Sequence, residues 1–165
     1  MIQIRPAVAA DASRIASIYN DAILNGTATF DTEEKSESDR IQWLSEHVAD
    51  NLPVLVSLED GVVTGFAALN KWSPRKAYDT TAEVSFYVDE AYRGKGTGKM
   101  LLEQIVLAGK SVGLHCLVSR ITQGNNISIA MHERLGFSHI GIMQQVGMKF
   151  GRFLDVHLMQ RIIGD

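Results

Sequence analysis

EVSFYVDEAYRGKGTG, residues Glu83–Gly98, joins a β-rich run to a cluster of three glycines and two cations. Glycines in such a cluster let the backbone approach an anion closely and aim successive N–H groups at it. Three phosphate-binding patterns compete here. A Walker loop needs G-x-x-x-x-G-K-[ST], but Arg93 stands where its first glycine belongs and Met100 follows Lys99. A dinucleotide fingerprint needs G-x-G-x-x-G, whereas Gly94, Gly96 and Gly98 fall two apart. The pattern that fits is [QR]-x-x-G-x-[GA], read Arg93-Gly94-Lys95-Gly96-Thr97-Gly98. A strand before it and a helix opening near Thr97 suit a pyrophosphate held at a helix's positive end, with Arg93, Lys95 and Lys99 adding charge. A plain glycine-rich turn with solvated cations is the bland alternative, which the flanking strand and helix disfavour.

The rest of the chain alternates between the two periodicities. "QIRPA" predicts a short strand. From Asp11 the residues Ile15, Ile18, Tyr19, Ala22 and Ile23 fall at helical spacing, with Gly26 as the stop. A second helix is expected from near Ser38, with Ile41, Leu44 and Val48 on its apolar face. "PVLVSL" and "VVTGFAALN" flank Asp60-Gly61, a hairpin signal. "TAEVSFYV" is a further strand, "MLLEQIVLAGKSV" a helix, and "LHCLVSRI" a strand. "NISIAMHERLGF" is a helix with its stop at Gly136, and two closing strands with a broad connection follow. The order β-α-α-β-β-β-α-β-α-β-β is that of an α/β fold, a mixed central sheet flanked by helices.

A chain of 165 residues suffices for a single domain, 1–165, with a sizeable core. The net charge of −3 argues against nucleic acid as a partner, because such binders usually present a basic face. "MIQIRPAVAADASRI" lacks the apolar core of a signal peptide, and no apolar run approaches the roughly 18 residues a membrane span needs, so no membrane is expected. The single cysteine, Cys116, excludes an internal disulfide and a cysteine-built zinc site, which makes the cytoplasm the expected location. His47, His115, His139 and His157 show no close-spaced ligand pattern, and no metal is expected.

The strand–[QR]xxGx[GA]–helix unit resembles the coenzyme A site of the GNAT N-acetyltransferases. "NNISIAMHERLGF", Asn125–Phe137, resembles that family's second signature, an Asn, a helix and a closing Gly-Phe. "IYNDAILNGTATFDTE", "WSPRKAY", "TAEVSFYV" and "VGMKFGRFLDV" are similar to the phosphinothricin and methionine-sulfoximine acetyltransferase group, across nearly the whole chain. The resemblance implies the GNAT (acyl-CoA N-acyltransferase) fold, acetyl-CoA as cosubstrate, a small-molecule amine as acceptor, and a homodimer. The expected acceptor is the α-amine of a small amino acid or analogue such as L-phosphinothricin, methionine sulfoximine or methionine sulfone. A protein N-terminus or another small amine is the alternative within enzymes, and a non-catalytic acyl-CoA-binding module the alternative outside them.

Acetyl transfer from a thioester needs a held cofactor, a neutral amine, a stabilised oxyanion and a protonated leaving thiolate. The resemblance implies that the backbone of Phe86, Tyr87 and Val88 pairs with the pantetheine arm as an added strand would. Val88 is the candidate N–H donor to the thioester carbonyl. Glu83, the lone carboxylate in an otherwise apolar and hydroxylic strand, is the candidate base, and alternation puts it on one face with Ser85 and Tyr87. His132 lies near where many relatives place an acid beside the sulfur; acid, second base and packed core histidine all remain open. Asn125 is read as a cofactor contact, or as a helix N-cap with no ligand at all. For the acceptor, Arg75 suits a planar anion, while Tyr78, Phe30 and Lys149 are further pocket candidates, each weighed against a plain surface or packing role. The Gly147–Arg152 connection is expected near a subunit boundary. Ser73, Pro74 and Phe153 depart from the group's usual residues, all on the acceptor side.

Overall fold

The computed structural model describes all 165 residues, Met1–Asp165. The chain runs β1 (Ile2–Pro6), α1 (Ala12–Asn25), α2 (Glu37–Ala49), β2 (Val54–Glu59), β3 (Val62–Lys71), β4 (Thr81–Val88), α3 (Thr97–Ser111), β5 (Cys116–Thr122), α4 (Asn126–Arg134), β6 (Ser138–Lys149) and β7 (Arg152–Ile162). This is the element order expected from the sequence. The strands form one seven-stranded sheet, β1-β2-β3-β4-β5-β7-β6, in which β4 and β5 are the parallel pair and all other neighbours are antiparallel.

The two faces follow from the alternation of β3 and β4, whose register is regular. Phe66, Ala68 and Asn70 oppose Tyr87, Ser85 and Glu83. This face packs against α1 and α2 through Ile15, Ile18 and Leu44. On the other face Ala67 and Leu69 oppose Phe86 and Val84, and α3 covers them with Leu101, Leu102, Ile105 and Val106, all buried. Each such side chain contributes about 1.5–3 kcal/mol on burial. The β2–β3 hairpin closes on Asp60 and Gly61, both at positive φ (52° and 78°), the geometry that an Asp-Gly pair favours.

Gly26 ends α1 as expected, in an extended conformation, φ −140° and ψ 177°, with its N–H donating to the Ala22 carbonyl (3.2 Å). Lys149 closes that helix end as well, its ammonium donating to the carbonyls of Ala22 (3.3 Å), Gly26 (2.7 Å) and Thr29 (2.9 Å). Two expectations need correction. In α2, capped by Ser36 in a reciprocal box with Asp39, Leu44 is buried but Ile41 and Val48 face solvent, Val48 at 80 % exposure. Arg40 and His47 are buried instead, because Arg40 stacks over Trp43 and Tyr19 (4.8 and 5.4 Å) and His47 lies between the Trp43 carbonyl and the Asn70 side chain. Finally, β6 and β7 are joined by a tight turn at Phe150 and Gly151, φ 53° and 73°, not by a broad connection. Gly147–Lys149 therefore belongs to β6, and Arg152 opens β7.

Candidate active site

The sheet comes apart at one place. β4 and β5 pair only over Thr81–Glu83 with Cys116–Val118; β5 continues along β7 to Thr122, while β4 continues along β3 to Val88. From Val84 onward β4 has no strand on its β5 side. Phe86, Tyr87 and Val88, the expected cofactor-pairing residues, lie on this open edge, where backbone N–H and C=O groups await a partner. Their side chains divide between the faces. Phe86 packs toward α3 and α4, and Tyr87 sits against Phe66 and Tyr19 (5.3 and 5.1 Å between ring centroids). The Val88 carbonyl already accepts a hydrogen bond from Arg93 Nε (3.1 Å).

The glycine motif follows β4 after a single 3-10 turn, Glu90–Tyr92, and ends in α3. Gly94 and Gly96 adopt φ of 77° and 90°, with open space where a Cβ would stand, so conformation, not crowding, selects glycine at both. Gly98 is different: a Cβ there would meet the Phe86 ring at 3.3 Å, so glycine lets α3 start close against β4. The Thr97 hydroxyl, on the first residue of α3, is buried without a hydrogen-bond partner. The cations stand around this end, each loosely near a carboxylate: Arg93 by Asp21 (3.8 Å), Lys95 by Glu59 (3.6 Å) and Lys99 by Glu103 (3.7 Å). Such exposed pairs contribute little, which leaves the cations available to an anion.

Glu83 occupies the last paired position of β4, where the two strands part. Its carboxylate is gripped by Arg120, with Nε and Nη2 donating to the two oxygens in a fork, Nη2 at 2.9 Å. This pairing raises Arg120 above the ordinary arginine value, and Trp72 flanks the guanidinium at 5.4 Å. Behind the strand, Asn70 donates to Ser85 Oγ (2.9 Å) and to the Glu83 carbonyl (3.3 Å). The sequence reading missed Arg120. Its one sequence signal was a charged residue inside the strand "LHCLVSRI", out of phase with Leu117, Ser119 and Ile121.

His132 is on the other face, 2 % exposed. Its Nδ1 lies 2.7 Å from the Ser128 carbonyl, which only accepts, so Nδ1 carries the hydrogen. Nε2 is then the acceptor for the Ser119 hydroxyl at 2.9 Å, and Phe137 packs edge-on (4.9 Å). Burial holds this histidine below its ordinary pKa. The expected acid or second base therefore has no free nitrogen to offer, and of the readings left open the packed histidine is the one this geometry fits. Asn125 caps α4, its Oδ1 accepting from Ser128 N (3.3 Å), the role foreseen for it without a ligand.

The acceptor-side candidates fall in two groups. Arg75 and Tyr78 are exposed on the loop between β3 and β4, and the Arg75 guanidinium forms no salt bridge. Phe30 and Lys149 are brought together elsewhere. The Phe30 ring lies on Gly147, where a Cβ would collide with it, and Lys149 is enclosed by its three carbonyls, with burial lowering its pKa. Lys149 thus holds the 27–31 loop in place with all three of its ammonium hydrogens, the packing role weighed for it. The same loop is tied by Thr122 Oγ1 to the Thr27 carbonyl (2.6 Å) and by the Tyr19 hydroxyl to Asp31 and to Thr29 Oγ1 (2.9 Å). Burial is the main cause that pushes Tyr19 above its ordinary pKa. No group of three or more His, Cys, Asp or Glu gathers as a metal would require.

Known proteins share this fold. The sequence model of the "Acetyltransferase (GNAT) family" matches residues 15–137. The L-methionine sulfoximine/L-methionine sulfone acetyltransferase of Pseudomonas aeruginosa is 40% identical over 158 residues, 95% of this chain and 92% of the relative. A GNAT superfamily phosphinothricin acetyltransferase from Sinorhizobium meliloti, solved in complex with acetyl-CoA, superposes with a TM-score of 0.96 at 36% identity, covering 99% of this chain and 89% of that one. The ribosomal-protein-alanine N-acetyltransferase of Brucella melitensis gives a TM-score of 0.95 at 38% identity, over 97% and 99% of the two chains. With the family matched across the glycine motif, the parted strands and both helices around them, this chain belongs to the GNAT family of acetyltransferases.

Proposed function

We propose that this protein transfers the acetyl group of acetyl-CoA to the α-amine of a small amino acid or analogue, with methionine sulfoximine, methionine sulfone and phosphinothricin as leading acceptors. The observation that carries the reading is a single carboxylate, Glu83, at the point where β4 and β5 separate. Acetyl-CoA, when bound, supplies the thioester carbonyl that an amine attacks. The residues present fit it. The open edge of Phe86, Tyr87 and Val88 takes an extended arm, and the Val88 N–H is our candidate donor to a developing oxyanion. Gly94, Gly96, Gly98 and the free N–H groups of the first turn of α3 cradle phosphate oxygens, with Arg93 and Lys95 beside them. The partnerless Thr97 hydroxyl is a donor that a phosphate oxygen would satisfy. Glu83 removes the proton that the attacking amine must lose, directly or through water. A carboxylate has about four lone-pair sites, so the Arg120 fork leaves room for that proton. We assign His132 to packing and leave the thiolate's proton to solvent.

The acceptors named follow the activities of the Pseudomonas and Sinorhizobium relatives. Acetylation of a protein N-terminus is the second reading, favoured by the likeness to the Brucella enzyme. We read residues 1–165 as a single catalytic domain working in the cytoplasm without nucleic acid or membrane. The net charge of −3 and single cysteine support that reading, and no helix is long and apolar enough to cross a membrane. We also propose a homodimer through the β6–β7 hairpin, where Ile140, Val146, Met148, Phe150 and Phe153 are all more than half exposed.

Thiol release from acetyl-CoA by the purified protein tests the function. The panel is phosphinothricin, methionine sulfoximine, methionine sulfone, free lysine and a peptide with a free N-terminus. Turnover confined to the first three supports the reading. Turnover of the peptide alone replaces it with the second, and coenzyme A binding without turnover removes both.

A further inference from the structure

The Glu83–Arg120 pair does more than a structural ion pair requires. Arg120 lies two residues beyond the last β4–β5 pair, on the strand that diverges, and reaches back across the opening to Glu83. Its side chain is 50% exposed and that of Glu83 18%, so the pair sits at the mouth, not within the core. Nε and one Nη2 hydrogen serve Glu83. The remaining guanidinium hydrogens meet no protein acceptor, and Trp72 holds the group from the side. A planar cation with free donors, fixed against the candidate base, is a built receptor for a carboxylate.

We propose that Arg120 is the residue that selects an acceptor bearing a carboxylate next to its amine, by exchanging its bond to Glu83 for one to the substrate. This rests on the small-amino-acid reading given above. An α-amino acid carries ammonium and carboxylate separated by a single carbon, as closely set as the two charges of the Glu83–Arg120 pair. The zwitterion enters by partner exchange: its carboxylate takes the guanidinium fork and its ammonium takes the Glu83 carboxylate. No charge is left unpaired at any stage, and the base is released only where an amine is ready for it. A neutral amide or a simple amine has no carboxylate to take the fork, so it meets Glu83 by its remaining lone pairs alone and against the charge of Arg120. Selectivity for amino acids is thereby placed on β5, beside the base, and not on the exposed loop that carries Arg75.

The test is the ratio of kcat/KM for methionine sulfone to that for its α-carboxamide, measured for the wild type, Arg120→Gln, Arg120→Lys and Arg75→Ala. The wild type is expected to favour the acid on the order of 100-fold. Arg120→Gln should bring the ratio close to one, chiefly by raising KM for the acid, and Arg120→Lys should lie between. Arg75→Ala should keep the preference. Coenzyme A affinity, read for each variant, shows that the fold is intact. An acid preference that survives in Arg120→Gln, or that is lost in Arg75→Ala instead, overturns the proposal while leaving the enzyme an amino-acid acetyltransferase. A fall of both substrates by the same factor in both arginine-120 variants shows that Arg120 only positions Glu83 and overturns it too. A wild type that acetylates neither acid nor amide, but does acetylate a peptide N-terminus, overturns the acceptor reading and this inference with it.

Discussion

Two polar centres lie on opposite faces of the same opening, and they are built in opposite ways. Glu83 and Arg120 are charged, the arginine half-open to solvent, and joined where the two strands cease to pair. His132, Ser119 and Ser128 are neutral, enclosed, and satisfied at every nitrogen. A reacting group must be able to change partners, and the first centre can. The second resembles an interior hydrogen-bond network, which fixes the seat of α4 and resists protonation. A titratable side chain near a cleft is thus a poor guide to catalysis unless its existing bonds are counted.

The largest expected effect breaks this contrast at its charged end. Glu83→Gln should lower kcat by about 10²–10⁴-fold while coenzyme A affinity, read by calorimetry, stays within about threefold. Turnover within tenfold of wild type would remove Glu83 from the chemistry. Lys149, enclosed like His132, sharpens the other end. Lys149→Met orphans the Gly26 and Thr29 carbonyls, the Ala22 carbonyl keeping the Gly26 N–H, and should cost about 3 kcal/mol of stability, seen as a fall in Tm of about 6–12 °C. An unchanged Tm would mean that the ammonium is not what holds the 27–31 loop.

His132→Gln should cost about 1–3 kcal/mol in denaturant unfolding yet leave kcat within about tenfold. A loss of kcat as deep as that of Glu83→Gln would restore the acid role. The smallest effect is in pH. Burial lowers His132 in the folded state, so below its ordinary value of about 6.5 the unfolded chain binds more protons. Stability from this residue is complete above that pH and is lost as pH falls, with a slope of at most about 1.4 kcal/mol per unit. Unfolding of wild type and His132→Gln between pH 7.5 and 5.5 should show that slope in the first and its reduction in the second.

Where local signals carry the information, the sequence is legible. The Asp60-Gly61 turn, the apolar spacing of α3 and the glycine motif depend on neighbouring residues, and all were read. The errors share a different cause. Ile41 and Val48 face solvent because Arg40 and His47 find partners in Trp43, Tyr19 and Asn70, and hydropathy spacing is blind to polar side chains that pack. Arg120 went unseen because its partner is 37 residues away in sequence; a lone arginine in a strand otherwise reads as solvent-facing. For Lys149 the sequence leaves pocket and packing roles open, because its three acceptors lie at least 120 residues earlier in the chain. Glu83 was legible as an oddity in its strand, but the grip upon it was not.

The three-residue pairing of β4 with β5 also has a mechanical meaning. It divides the sheet into two plates, β1-β2-β3-β4 and β5-β7-β6, meeting at a joint far narrower than either. The last rung of that joint is Glu83 with Val118, and a shared buried core of Leu69, Ala82, Val84, Leu117, Ile121 and Met159 locks the two plates behind it. The carboxylate thus stands at the root of a fixed notch, aimed by backbone on both sides before any ligand arrives.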